Sequence, residues 1–380
     1  MDFDFSPEQY MFQESVRTFL AQRFDGAKAR ALTEHDGGGE PLWHGLRDLG
    51  IFSMLVPEAF GGLGLSLVDL ALPLEEFGRA LVPPSIGETI AATDLLVQYA
   101  TDEQRARLLP QISQGELTVV NALLETQADF SPNSMSLAAV ASGNGWSVSG
   151  TKILVPYAKH ADLILVALRF GDSGSLGFAA VEPNRRGISL RAHTSIDVAN
   201  GYYEVMFDDT PLVREDIVGG EPIADSVWRV FDVGGLVSAT QMSGIAAKML
   251  DASIIYARQR SQFGSPIGSF QAIKHRCADM AVSIDASRSA AYYAAWALSD
   301  RSQDSPRAVS IAKSYCGDAA RYVCNESIQI HGGVGFTWEL GLHYYLRRAK
   351  TLEYLYGDAS YHRERVLAMT LAQLDAEGVD

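Results

Sequence analysis

Residues 260–271 combine a permanent cation, an aromatic residue and a glutamine within one short segment. The segment reads R-S-Q-F-G-S-P-I-G-S-F-Q, with Arg260 at the end of a long helical pattern and Gln271 at the start of the next. A guanidinium presents a fork of N–H donors that matches a phosphate or carboxylate. A basic residue at a helix C-terminus is also favoured by the helix dipole alone. The segment therefore indicates either an anion site or an ordinary helix–helix connection.

A second segment, residues 329–339, places glycines at a helix end. It reads Q-I-H-G-G-V-G-F-T-W-E. Backbone without side chains lets a ligand approach closely, and its N–H groups can donate to a pyrophosphate. A glycine-rich helix C-cap is the ordinary alternative.

Most other catalytic signatures are missing from the sequence. It has no G-x-G-x-x-G after a predicted strand and no G-x-x-x-x-G-K-[ST], H-E-x-x-H or G-x-S-x-G motif. The eight histidines are scattered, and Cys277, Cys316 and Cys324 have neither zinc-site nor disulfide spacing. We expect no metal, and we interpret the cysteines as small buried apolar residues.

Charge and hydropathy exclude several classes of partner. The 380 residues carry 31 Lys+Arg and 46 Asp+Glu, a net charge of −15, whereas nucleic-acid binding needs clustered basic residues. The longest apolar runs, such as residues 163–168, are far shorter than the roughly 20 residues of a membrane span. The N-terminal M-D-F-D-F has no basic region of a secretory signal. We expect a cytoplasmic protein.

The sequence pattern changes from helical to strand-like and back to helical along the chain, which predicts an α+β fold of three domains. Capping boxes at residues 6–9 and 101–104 and helical apolar spacing indicate a helical N-terminal domain, 1–120. Short strands separated by turn residues indicate a central antiparallel β domain, 121–215. Long helices with small-residue faces then indicate a C-terminal four-helix bundle, 216–380, with helices at 226–260, 272–298, 307–330 and 359–374.

Taken together, these motifs resemble those of the acyl-CoA dehydrogenase family over essentially the whole chain. The likeness includes P-E-A-F-G-G-L-G-L-S at 57–66 and T-D-E-Q-R at 101–105 in the first domain, and G-T-K at 150–152 and A-D at 161–162 in the second. Its most specific parts are R-x-Q-F-G-x-P-I at 260–267 and H-G-G-x-G-F-T-W-E at 331–339.

The resemblance implies noncovalent FAD at a subunit interface, usually in a dimer of dimers, together with an electron-transfer partner. The substrate implied is an acyl-CoA thioester, from lipid or sterol catabolism. By this likeness Arg260 would pair with the FAD pyrophosphate of the neighbouring subunit, and five more residues would contact the same cofactor: Phe263, Gln271, Gln329, Gly332 and Gly333. The reaction implied is removal of an α-proton by a carboxylate and of a β-hydride by the flavin.

The catalytic carboxylate is where this sequence departs from the family. Many relatives carry a Glu in an I-Y-E-G-T segment, and the corresponding run here places Tyr356 at that position. A second family solution puts the Glu on the first bundle helix, where this chain has Gly234. A tyrosine of ordinary pKa, about 10, is a poor base at neutral pH. Glu353 and Asp358 are weak candidates for a displaced base, and both are also typical of solvated charges.

The segments expected near the flavin ring also differ from the family pattern. Where relatives have W-x-I-T-N-G, residues 153–158 read I-L-V-P-Y-A, and Pro156 offers neither a hydroxyl nor an N–H. The family's T-E-P turn is replaced by L-E-T-Q at 124–127. The ring pocket is therefore less typical of the family than the nucleotide pocket.

Three functions are compatible with this combination. The first is a subunit of a heteromeric acyl-CoA dehydrogenase, in a homologous assembly whose other chain supplies the Glu. The second is a self-sufficient homo-oligomeric dehydrogenase with a displaced carboxylate. The third is a family member with other flavin chemistry, such as an oxidase or monooxygenase, or a non-catalytic subunit, because oxygen chemistry needs no α-proton base.

Overall fold

The computed structural model describes residues 4–24, 40–126, 129–171, 174–197 and 201–377. Gln127 of the L-E-T-Q turn, the predicted turn residues 172–173 and the first three residues of the chain lie outside this part. Contacts divide the chain into two compact units. One unit comprises Met1–Ala29, Leu67–Val82 and Gly235–Asp380, and the other comprises Arg30–Ser66 and Pro83–Gly234.

The architecture is α+β, with helices before and after a set of strands. The described helices, in chain order, are α1 (Pro7–Arg23), α2 (Glu40–Asp48), α3 (Leu67–Ala80), α4 (Pro84–Tyr99), α5 (Asp102–Ser113), α6 (Ala224–Gln259), α7 (Gln271–Ser299), α8 (Ser305–His331), α9 (Leu342–Tyr354) and α10 (Ala359–Glu377). The strands are β1 (Val119–Ala122), β2 (Ala138–Ser142), β3 (Gly145–Pro156), β4 (Leu163–Phe170), β5 (Ser175–Val181), β6 (Ile188–His193), β7 (Tyr202–Leu212), β8 (Ser261–Gln262) and β9 (Ser265–Pro266).

Both predicted capping boxes form. At the start of α1, Gln9 N donates to Ser6 Oγ while Ser6 N donates to the Gln9 side chain, 3.3 and 2.7 Å. Thr101 and Gln104 make the same reciprocal pair at α5, 3.2 and 3.0 Å. Each box satisfies N–H groups that a helix start leaves without an intrahelical acceptor, so the first turn of each helix is fixed locally.

Glycines bring α3 and α6 into backbone contact. A Cβ added at Gly78 would lie 1.9 Å from Gln241 O, and one added at Gly244 would lie 1.9 Å from Glu75 O. The predicted small-residue face of α6 therefore lets a neighbouring helix approach closely. Helix α3 contains Pro73 in its interior.

Seven strands form one sheet in the order β1-β4-β2-β3-β7-β6, with β5 paired to β4. The sheet is largely antiparallel, as expected, but β1 and β2 each pair in parallel with β4. Its core comprises the apolar side chains that alternate into one face, among them Val148, Ile164, Val166, Val205 and Phe207. Register shifts in the β3–β7 pair, between Val148 and Gly150 and between Lys152 and Val155, mark bulges beside the residues predicted to face a flavin ring.

Two class-level features follow from the described residues. No helix among them is long and apolar enough to cross a membrane. The same residues contain no group of three or more His, Cys, Asp or Glu side chains placed to hold a metal ion.

Candidate active site

The R-S-Q-F-G segment begins where the long helix α6 ends. Arg260 N donates to Tyr256 O at 2.8 Å, and Ile267 N donates to Arg260 O at 2.8 Å, which closes a small hairpin of β8 and β9. The loop residues Phe263 and Gly264 have φ of 51° and 79°, and such paired left-handed residues are typical of a tight hairpin turn. Phe263 is 94% exposed at the tip. The hairpin thus presents Arg260 and Phe263 to solvent rather than to the bundle core.

The glycines of the H-G-G segment lie at the end of α8. Gly332 has φ 63° and ψ −142°, a backbone conformation that side chains disfavour. Cβ atoms added at Gly332 and Gly333 would meet nothing within 4 Å. The backbone is therefore bare and open at this point, as close approach by a ligand requires.

An aromatic stack joins the two segments. The rings of Tyr256 and His331 lie 4.4 Å apart between centroids at 29°, four residues before Arg260 and directly before Gly332. His331 Nδ1 contacts Ser327 O at 2.7 Å, and burial lowers the pKa of His331, so the ring is neutral and Nδ1 is the donor. The structure thus brings the two most specific sequence motifs to one end of the bundle.

The chemistry of this surface fits a diphosphate. Arg260, Gln271 and Gln329 are exposed, and the Arg260 guanidinium makes no ion pair within the described residues. An exposed guanidinium beside bare glycine backbone offers charge and N–H donors without a competing side chain. All six predicted FAD residues lie on or beside the α6–α7 connection or at the end of α8.

Tyr356 lies at a different place, in the turn between α9 and α10. Tyr356 and Gly357 have φ of 58° and 96°, so a bulky residue holds a left-handed conformation that normally favours glycine. Tyr356 is 8% exposed. Its carbonyl faces His362 Nε2 at 2.9 Å.

Both displaced-base candidates already have partners. The Glu353 carboxylate contacts Lys350 Nζ at 2.7 Å and Arg321 Nε at 3.8 Å. Asp358 Oδ1 accepts from Tyr361 N at 2.8 Å, which caps the start of α10. A carboxylate that is held by a cation or by a helix cap is less free to reach a substrate proton than a base needs to be.

Lys313 and His362 support the Tyr356 turn, although no sequence motif singled them out. Lys313 Nζ donates to Glu353 O at 2.9 Å and to Gly357 O at 2.7 Å. Burial lowers the pKa of Lys313 to about 7 and that of His362 to about 2. The available signal is a lysine on the apolar face of α8, beside Ala312 and Cys316.

The predicted ring segment in the strand unit forms a bulge. Ile153 N donates to Leu124 O at 2.9 Å, and Leu154 has φ 53° and is 40% exposed. Lys152, the residue before Ile153, is fully buried, and its Nζ lies 2.6 Å from Glu125 Oε1. Burial lowers the pKa of this lysine to about 8. The Glu125–Lys152 pair therefore anchors the L-E-T-Q turn to β3.

An open groove of about 1180 Å³ lies on the strand unit over β2, β3 and the end of β7, and Glu125 and Thr126 of the L-E-T-Q turn help to line it. Hydroxyl-bearing residues such as Ser136, Ser149 and Thr151 line it, with Trp146 and Asp209. The groove contains none of the predicted FAD residues and none of the base candidates. Cavity volume alone therefore does not locate the predicted site.

Comparison with known proteins identifies the family. Residues 6–116 match the N-terminal domain of acyl-CoA dehydrogenases, and residues 225–371 match their C-terminal domain. Glutaryl-CoA dehydrogenase of Desulfococcus multivorans is 30% identical over 376 residues, which covers 95% of this chain and 95% of that protein. The chain belongs to the acyl-CoA dehydrogenase family of oxidoreductases, and FAD is the cofactor of that family.

Two solved structures extend the likeness to the fold. The glutaryl-coenzyme A dehydrogenase–glutaryl-CoA complex is 27% identical with a TM-score of 0.90, covering all of this chain and 98% of that one. A variant of the Tcur3481–Tcur3483 steroid ACAD is 28% identical with a TM-score of 0.87, covering 98% of each chain. The expected family and α+β architecture are thus confirmed.

Proposed function

We propose that this chain is one subunit of a hetero-oligomeric, FAD-dependent acyl-CoA dehydrogenase in which a homologous chain supplies the carboxylate base. The reaction takes two hydrogens from the thioester. The partner's base would remove the α-proton, and FAD, when bound, would supply the acceptor for the β-hydride, so that oxidation of the thioester is balanced by reduction of the cofactor. The observation that carries the proposal is that residue 356 is a buried tyrosine while Glu353 and Asp358 are both engaged.

The surface at the end of the bundle supports a cofactor role for this chain. Arg260 would neutralise the diphosphate, Phe263 and Gln271 would line the same site, and Gln329, Gly332 and Gly333 would contact the nucleotide half. Lys313 and Gln329 are 16 residues apart on α8, about 24 Å along its axis. The Tyr356 turn and the Arg260 surface therefore lie at different places along the bundle, which supports binding of a neighbouring subunit's FAD by the Arg260 surface.

The engaged carboxylates count against a self-sufficient dehydrogenase. For Asp358 to take an α-proton, its side chain would have to leave the start of α10. Loss of such a cap typically costs about 1 kcal/mol of stability. Glu353 would have to leave Lys350 and a buried position. A partner that brings a base needs neither change.

The partners proposed follow from family relatives. The Tcur3481–Tcur3483 pair is described as a steroid ACAD, which supports a bulky acyl-CoA substrate and a two-chain assembly. The flavin chemistry that the family resemblance implies supports an electron-transfer partner, and we propose the cytoplasm as the location of both proteins. We also propose that the chain is divided into three domains with boundaries at residues 120 and 215.

Co-expression with a Glu-bearing homologue, such as one encoded beside this gene, tests the proposal. We expect native mass spectrometry to show a mixed complex with bound FAD, and an acyl-CoA to bleach the flavin anaerobically. Replacing the partner's Glu with Gln should abolish bleaching while FAD stays bound. Full bleaching with that partner variant would contradict the proposed division of labour.

A further inference from the structure

Three backbone carbonyls around residue 356 are bound by only two side chains. Lys313 Nζ, from α8, donates to the carbonyls of Glu353 and Gly357, which flank Tyr356 on either side. His362 Nε2, from α10, lies 2.9 Å from the Tyr356 carbonyl itself. We call Lys313 and His362 the turn clamp.

The protonation of His362 follows from its contacts. A carbonyl oxygen only accepts, so Nε2 must carry the hydrogen that Tyr356 O receives. The ring is neutral because burial strongly lowers its pKa. Nδ1 therefore accepts from Ser310 Oγ, 3.1 Å away. The histidine is held on both sides in one tautomer.

The turn needs such partners because its backbone lies outside both helices. The carbonyls of Tyr356 and Gly357 lie between the end of α9 and the start of α10, and that of Glu353 lies in the last turn of α9, where a helix lacks intrahelical donors. Tyr356 also holds a left-handed conformation that is unfavourable for a bulky side chain. The clamp satisfies the carbonyls and holds that conformation.

Burying the clamp is unfavourable, which argues that its hydrogen bonds have a use. Lys313 is 1% exposed and His362 is 0% exposed. Burial lowers the pKa of Lys313, because the charged ammonium loses its hydration. An apolar side chain among Ala312 and Cys316 would avoid this cost but would leave two carbonyls without donors.

We propose that Lys313 and His362 are positioning residues, which fix the turn so that residue 356 is held in one geometry, as a base at that position would need. The proposal rests on the proposed function in taking position 356 to face the thioester. It implies that this chain keeps a preorganised place for a base although a tyrosine occupies it.

The first test compares amide hydrogen exchange in the turn between the full-length wild-type chain and its variants, without added ligand. Amide hydrogen exchange of residues 354–358 should accelerate at least tenfold in His362→Leu, and in Lys313→Met if that variant folds. His362→Gln should retain slow exchange, because its amide nitrogen can still donate to Tyr356 O. Lys350→Met is the matched control, since Lys350 contacts the side chains of Glu353 and Tyr354 rather than the turn carbonyls. Equal exchange in the Leu and Gln variants would overturn the proposal.

The second test installs a carboxylate by Tyr356→Glu in the FAD-loaded complex, with the partner's own Glu replaced by Gln. We expect acyl-CoA to bleach the flavin, and we expect the rate at saturating acyl-CoA to fall at least tenfold when His362→Leu is added. The half-saturating concentration should change less than twofold, and His362→Gln should restore the rate. A rate independent of residue 362 would overturn the positioning role. If Tyr356→Glu never bleaches the flavin while exchange still responds to the clamp, position 356 does not face the thioester; the positioning role is then overturned, whereas the proposed function, which places the base on the partner, is not.

Discussion

At the residue scale, the hydrogen bonds that would hold a catalytic side chain at position 356 are present, although the side chain at that position is not a carboxylate. Tyr356 has a left-handed backbone conformation, and two buried side chains, Lys313 and His362, donate to carbonyls of its turn. The side chain of residue 356 itself is nevertheless a phenol. A phenol with its ordinary pKa, about 10, holds its proton at neutral pH and cannot accept one from a thioester α-carbon. The nearest acidic side chains in sequence, Glu353 and Asp358, serve structural contacts.

Arg260→Ala should weaken FAD retention while leaving thioester binding nearly unchanged. A charge-assisted hydrogen bond to phosphate is worth about 1.5–3 kcal/mol, which corresponds to a roughly tenfold to hundredfold increase in the FAD dissociation constant. Flavin fluorescence during dilution of the purified complex measures it. Arg258→Ala, an exposed arginine in the last turn of the same helix, is the matched control. Equal flavin content in the Arg260 variant and wild type would contradict the assignment.

Lys313→Met should change how stability depends on pH. The folded pKa of Lys313 is lowered to about 7 from 10.5, chiefly by its burial on α8. Between these two pH values the unfolded chain binds the proton and the folded chain does not. Wild-type stability relative to Lys313→Met should therefore rise with pH, by at most about 1.4 kcal/mol per pH unit.

Urea unfolding of both proteins at pH 6, 7, 8 and 9 measures this difference, because ionisable groups common to both largely cancel. Below pH 7 the difference should level off, since both states of the wild type are then protonated. A difference that stays constant from pH 7 to 9, or falls, would contradict a lowered pKa for Lys313.

Residues that belong to a recognisable motif are easier to predict from the sequence than residues that hold the backbone around a site. Arg260 and Gly332 stand out because their two segments together match motifs of one family, although each feature alone also has an ordinary structural use. Lys313 and His362 do not, because their partners are carbonyls 40 and 6 residues away and no side-chain pattern marks a carbonyl acceptor. Only the folded turn shows what they bind.

At the scale of elements, local signals predict where helices start and where they pack. The capping boxes of α1 and α5 form because Ser6 with Gln9 and Thr101 with Gln104 interact within one turn. Helix α9 is not among the predicted helices, because its buried face contains the charged residues Arg348 and Glu353, which interrupt the apolar stripe. Strands β1 and β2 show no alternation of apolar and polar residues, whereas β6 alternates as I-S-L-R-A-H, and this alternation is the sequence signal that marks it.

Gly78→Ala should destabilise the protein by about 3 kcal/mol. Its new Cβ would lie 1.9 Å from Gln241 O, so two helices held in backbone contact would have to separate. Urea unfolding measures the loss. Gly235→Ala is the matched control, because its Cβ would meet only a Val309 methyl at 3.1 Å and helix propensity favours alanine. A loss below about 1 kcal/mol at Gly78 would contradict the close crossing.

At the scale of the whole molecule, composition and domain order predict the class but not the division of work between subunits. The helix–strand–helix order and two motif segments suffice for the family, which the N- and C-terminal domain matches confirm. The role of a partner depends on groups that a different chain brings. Within this chain, the need for a partner is indicated only by the absence of a carboxylate at the family's base positions.

The most direct measurement is an anaerobic titration of the purified chain, reconstituted with FAD, against a panel of acyl-CoA thioesters of different size. We expect the flavin to stay oxidised with every thioester, and we expect at least one thioester to bleach it once the Glu-bearing homologue is added. Bleaching by the chain alone, abolished by Asp358→Asn or Glu353→Gln, would contradict the account and assign the base to this chain.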